Sequence, residues 1–174
     1  MQHSILSLAL TTILATTGCS SLVSVHPIVT GAESTFDRSL LGVWNHNGDL
    51  TYTIWQEDDH YRIALVGKSG ATQFEARLLR IGDASFLDLV QRDDDSFMLP
   101  VHLVLRVWPG IATMQFAFLE TDWLKEQATR ELGAQAVENR TIITIPGEAT
   151  RAFLKKYGAD EKAHAKAETL SRVE

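Results

Sequence analysis

The sequence predicts a mainly β domain of the α+β class: an antiparallel meander of about six to eight strands, a curved sheet or a small barrel, with two helices in the C-terminal third. Three observations predict it. Short runs rich in β-branched and aromatic residues fill the middle of the chain. Turn-forming residues interrupt those runs roughly every 8–12 positions, the spacing of hairpin-connected strands. After Leu119 the apolar spacing changes from that of a strand to that of a helix.

Taken in order, Gly42-Val43-Trp44 opens the first strand, and residues 50–57, 61–67, 72–81, 86–92, 101–108 and 111–119 follow as strands. Between them stand Asn45-His46-Asn47-Gly48-Asp49, Asp58-Asp59, Lys68-Ser69-Gly70, Gly82-Asp83, Asp93-Asp94-Asp95 and Pro109-Gly110. These supply the Asn, Asp, Gly and Pro that tight reversals need, so neighbouring strands pair as hairpins. Val101, Leu103, Leu105 and Val107 alternate with His102, Val104 and Arg106, as Phe74, Ala76 and Leu78 do with Glu75 and Arg77. One apolar face runs throughout, as a sheet packed on a core or curled into a barrel requires.

Beyond Leu119, Thr121 or Asp122 can cap a helix in which Trp123, Leu124, Ala128 and Leu132 recur at helical spacing until Gly133. A last strand at residues 141–145 ends at Pro146. Residues 148–157 read as a second helix, with Ala152, Phe153 and Tyr157 inward and Gly158 as its stop. The tail from Ala159 is charged and Ala-rich, and reads as a solvated helical extension or as disordered.

The N-terminus carries a different signal. The apolar run at residues 5–15 is too short to cross a ~30 Å hydrocarbon core and fits the apolar region of a signal peptide. It runs into Thr16-Thr17-Gly18-Cys19, and Cys19 is the only cysteine. The arrangement resembles a bacterial lipoprotein signal, in which cleavage precedes the cysteine, the thiol receives a diacylglycerol and the freed amine an acyl chain such as palmitate. A lone cysteine can form no internal disulfide in an exported chain, which favours that reading. Ser20 follows where an inner-membrane retention signal would place Asp, so the resemblance implies an outer-membrane anchor facing the periplasm. The organisation expected is a signal peptide at 1–18, a lipid anchor and flexible tether at 19–38, one globular domain at 39–158 and a charged tail at 159–174.

Composition excludes several functions. The net charge of -6 and the scattered Lys and Arg, paired only at Lys155-Lys156, disfavour nucleic acid. A domain of this size buries roughly 68–70% of its unfolded surface and needs no metal or disulfide to fold. Asp93-Asp94-Asp95 and Glu57-Asp58-Asp59-His60 lack the spaced ligands of a calcium loop and read as solvated hairpin tips. His26, His46, His60, His102 and His164 are too far apart to offer two nitrogens to one zinc, and His102 reads as a cross-strand partner. There is no Gly-x-Ser-x-Gly, no paired nucleophile and no phosphate-cradling loop, so no enzyme and no cofactor is expected. Asp88, between Leu87 and Leu89, reads as a buried carboxylate hydrogen-bonded to strand backbone, or else as the acid–base group of a hydrolase.

Leu41-Gly42-Val43-Trp44, Phe74-Glu75-Ala76-Arg77-Leu78, Phe86-Leu87-Asp88-Leu89, Leu99-Pro100-Val101-His102-Leu103 and Asp122-Trp123-Leu124 together resemble a group of uncharacterised bacterial lipoproteins. Gly42-Val43-Trp44 also resembles the opening signature of lipocalins and related calycins, small barrels that enclose apolar ligands. Trp44, Trp55 and Trp108 are the aromatics expected to line an apolar cavity or to fill the core. The function expected is a lipid-anchored, non-catalytic binding or assembly module of the cell envelope, partnered by the membrane through Cys19 and by an envelope protein or small hydrophobe. The alternative is a calycin-like carrier of a lipid or other small hydrophobic molecule.

Overall fold

A computed structural model of the protein describes residues 21–92, 100–138 and 140–173. Its strands are β1 (Ser21–Ser24), β2 (Gly42–His46), β3 (Leu50–Glu57), β4 (His60–Gly67), β5 (Gly70–Ile81), β6 (Ala84–Arg92), β7 (His102–Trp108), β8 (Thr113–Phe118), β9 (Gln135–Val137), β10 (Arg140–Ile143) and β11 (Glu168–Arg172). Two helices, α1 (Asp122–Leu132) and α2 (Gly147–Tyr157), fall in the C-terminal part.

Eight of the strands close an antiparallel barrel in the order β2-β3-β4-β5-β6-β7-β8-β11, returning to β2. Closure rests on β11, which pairs with β8 over residues 168–171 and with β2 at Ser171↔Asn45 and Arg172↔Trp44. The period of two seen in the sequence then divides every strand between two environments. Trp44, Ile54, Ile63, Leu78, Leu87, Leu105, Met114 and Leu170 meet inside the barrel. Ala84, Phe86 and Val104 point outward and form a second core with Leu124, Ala128 and Leu132 of α1 and Phe153 and Leu154 of α2. Thr121 caps α1 by accepting from the Leu124 N–H, and Gly133 ends it in the left-handed region at φ 62°.

The segment expected to be a flexible tether, residues 19–38, is instead built into the domain over its described part. β1 lies parallel to β10 and antiparallel to β7, with Leu22 and Val23 buried. Ile28 and Val29 join the helix-side core, and a Cβ on Gly147 at the start of α2 would collide with the Pro27 carbonyl. The expected charged tail is also structural, since it contains β11. Only Leu170 of that strand faces the barrel core, so its sequence, Glu-Thr-Leu-Ser-Arg, carries one apolar residue and looks solvated. The signal peptide, Cys19 and the Asp93-Asp94-Asp95 turn lie outside the described residues.

Candidate ligand-binding site

One end of the barrel is sealed. A short 3-10 turn at Arg38–Leu40, capped by the Asp37 carboxylate on the Ser39 N–H, delivers Leu40 against Trp44, Tyr61 and Leu78, all fully buried. The Trp44 indole donates to the Leu40 carbonyl at 2.9 Å, and the Arg172 guanidinium lies 4.1 Å from its ring centroid. Arg172 donates in turn to the carbonyls of Ile111 at 2.6 Å and of Leu41 and Ser39 at 2.7 Å. One side chain thus joins the last strand to both segments beneath the barrel. A stacked cation of this kind contributes about 0.5–2 kcal/mol beyond its hydrogen bonds.

The other half of the barrel is hollow. A cavity of about 120 Å³ lies among Tyr52, Ile63, Leu65, Phe74, Leu89, Leu103, Phe116, Phe118 and Leu170, with Ile54, Leu87, Leu105, Val107 and Met114 completing its wall. Tyr52 brings the only hydroxyl, and burial, with the Glu168 charge behind it, raises the pKa of that phenol. Above the two-residue β2–β11 pairing, the strands are joined by side chains: His46 Nε2 meets Glu168 Oε2 at 2.9 Å. The His46 ring stands edge-on to Phe116, so this contact borders the apolar wall.

Of the tryptophans expected to line a cavity or to fill the core, none lines this cavity and Trp44 fills the core. Trp44 is in the sealed core beneath it, Trp55 is 38% exposed on the outer face, and Trp108 lies half-buried outside the barrel against His164. The lining instead comes from Tyr52, Phe74, Phe116, Phe118 and aliphatic residues at inward positions.

A second groove, of about 380 Å³, runs along the outer face between the N-terminal segment and β5–β7, where Glu75, Arg77, Asp88 and His102 meet the apolar Pro27, Val29 and Val90. Asp88 is 4% exposed. Its Oδ2 accepts from the N–H groups of Ile28 at 2.8 Å and Val29 at 3.0 Å, and its Oδ1 meets His102 Nδ1 at 2.8 Å. The backbone it serves is therefore the N-terminal segment, not a strand. Arg106, paired with Phe86 across β6 and β7, is buried between the rings of Phe86 and Trp108, at 5.2 and 5.1 Å from their centroids, and burial lowers its pKa. Among the described residues no group of three His, Cys, Asp or Glu side chains could hold a metal ion.

At the rim of this groove Arg77 grips Asp59 through both terminal nitrogens, at 2.7 and 3.2 Å. Those bonds, with one from His60, hold the Asp59 carboxyl at about 2 in place of 3.8. A depressed folded-state value means the pair's contribution is complete above 3.8 and disappears as pH falls through about 2. In Arg77→Gln the Asp59 carboxyl, followed by NMR titration, is expected to return toward its ordinary value, and the acid-side loss of stability attributable to it to vanish.

The chain matches no family model, no curated protein and no solved structure.

Proposed function

We propose that this is a lipid-anchored cell-envelope protein whose barrel binds the apolar part of a small hydrophobic ligand, in the manner of a calycin. The observation that carries the reading is the cavity: a half-open space inside the barrel, walled by fourteen residues of which only Tyr52 carries a polar side-chain atom. Dry apolar cavities of about 150 Å³ accept benzene-sized molecules. At about 120 Å³ this one suits a compact hydrophobe or the end of a longer chain. The eight-stranded barrel with Gly42-Val43-Trp44 at its sealed end supports the calycin likeness.

The test is native mass spectrometry of a soluble form that begins at Ser20, so that β1 is retained, purified from bacterial periplasm. A retained hydrophobe of defined mass is expected, and Leu89→Trp, which fills the cavity, should abolish its retention while the domain still unfolds cooperatively. An apo mass that persists after incubation with short-chain hydrophobes, with no rise in Tm, would remove the carrier reading.

A second reading, an assembly module for an envelope partner, is supported by Ile111, Val43 and Val173. All three are exposed, and the hydrogen bonds Val173 N–H to Val43 carbonyl and Arg172 Nε to Ile111 carbonyl bring them together at the sealed end. Crosslinking in the envelope through that patch would select it. The anchoring half of the proposal has its own test: Cys19→Ala is expected to leave the domain folded and release it from membranes, and its retention after a carbonate wash would refute lipid attachment.

A further inference from the structure

We infer that the domain has no free tether and lies directly on the bilayer, with the β9–β10 edge beside Ser21 set among lipid headgroups. The inference rests on the acylation of Cys19 proposed above. Its own ground is the position of β1. Ser21 is already in register with Arg140, Leu22 donates to the Leu119 carbonyl, and Val23 and Ser24 pair with Leu103 and His102. Leu22 and Val23 are buried, so slack could be gained only by drawing them out of the core.

Ser20 alone separates Cys19 from this strand. Two residue steps of 3.3–3.6 Å allow the Cys19 and Ser21 Cα atoms a separation of about 7 Å at most. A bilayer of about 40–45 Å with a 30 Å hydrocarbon core has a headgroup layer of about 5–7 Å on each side. Acyl chains seated in the hydrocarbon therefore hold Ser21 within the headgroups. Had residues 21–38 been flexible, their root-mean-square span of about 23 Å would have lifted the barrel clear.

The surface around Ser21 suits that setting. β9 is paired only with β10 among the described residues, which leaves its outer backbone groups open, and its three residues are all exposed. Arg140 beside Ser21 is exposed and can reach lipid phosphate. Overall charge does not produce the contact, because the chain carries -6. The anchor does, and so the contact should form on zwitterionic lipid.

The experiment uses the acylated full chain, purified from membranes and reconstituted in phosphatidylcholine vesicles with a nitroxide lipid near the headgroup. With Cys19 acylated, Val137→Cys or Ser69→Cys provides the single reactive thiol for a fluorophore; both positions are exposed, and Ser69 lies across the barrel on the β4–β5 turn. Severalfold stronger quenching at 137 than at 69 is expected. A Gly/Ser insertion of about a dozen residues between Ser20 and Ser21, spanning about 20 Å, should remove the difference. Equal weak quenching at both positions, with the acyl mass present on Cys19, would overturn the inference and leave the anchor standing. A Cys19 without acyl mass would overturn both.

Discussion

A chain that stops at Asp160 is expected not to form the barrel at all. β11 is the strand that turns an open sheet into a closed one, and without it β2 and β8 become bare edges. Truncating Leu170 to Ala would by itself cost about 2–5 kcal/mol, since the side chain is 2% exposed in the barrel core. The shorter chain also loses Arg172, leaving the carbonyls of Ser39, Leu41 and Ile111 without their donor and Trp44 without its stacked cation. Against a typical total of about 5–15 kcal/mol, these losses together remove the native state. Near-UV circular dichroism and amide exchange read the result directly. A truncated chain that still unfolds cooperatively and still protects the β3 and β4 amides would show that closure is dispensable.

That expectation reverses what the sequence suggests about the same residues, and the reason is physical. β3 to β8 were legible because each strand carries several inward apolar residues, and turn chemistry marks its ends. α1 was legible down to its Gly133 stop, and Thr121 is one of the two caps its sequence offers. β11 offers one inward aliphatic in five residues, and β1 is a four-residue strand whose parallel partner, β10, is remote in the chain. Neither leaves a local periodic signal.

The site divides the same way. Alternation already separates Trp55 and Trp108 from the barrel interior: Ile54 faces in, so Trp55 faces out, and Val107 faces in, so Trp108 faces out. Size and aromaticity drew attention to them, whereas strand parity points to Tyr52, Phe74 and Phe116. Parity does not reveal which half of the interior is filled. That depends on Leu40 and the turn beneath the barrel, which reach the core from outside the strand pattern.

Asp88→Ala is expected to cost about 2–6 kcal/mol, the cost of leaving two buried backbone donors without their acceptor. The arithmetic follows from what the carboxylate satisfies. Its loss strands the buried N–H groups of Ile28 and Val29, each at about 1–3 kcal/mol, and leaves His102 without the group that fixes its ring. Ile28 and Val29 are themselves core residues, so the damage reaches α1 and α2. The segment keeps other holds: Arg151 donates to the Ile28 carbonyl at 2.7 Å, and the Thr35 N–H donates to Leu78 at 2.8 Å. The expected signature is therefore local as well as global, with the Ile28 and Val29 amides losing exchange protection before those of β5 and β6. Asp88→Asn retains an acceptor oxygen for the backbone and should lose less. His102→Ala leaves both backbone bonds intact and should lose least. That order, Ala above Asn above the histidine variant, is what a structural clasp requires. If Asp88→Ala instead proved nearly as stable as the parent and kept those two amides protected, the carboxylate would be free for another task. The Asp88–His102 pair facing the outer groove would then return as an acid–base couple in search of a substrate.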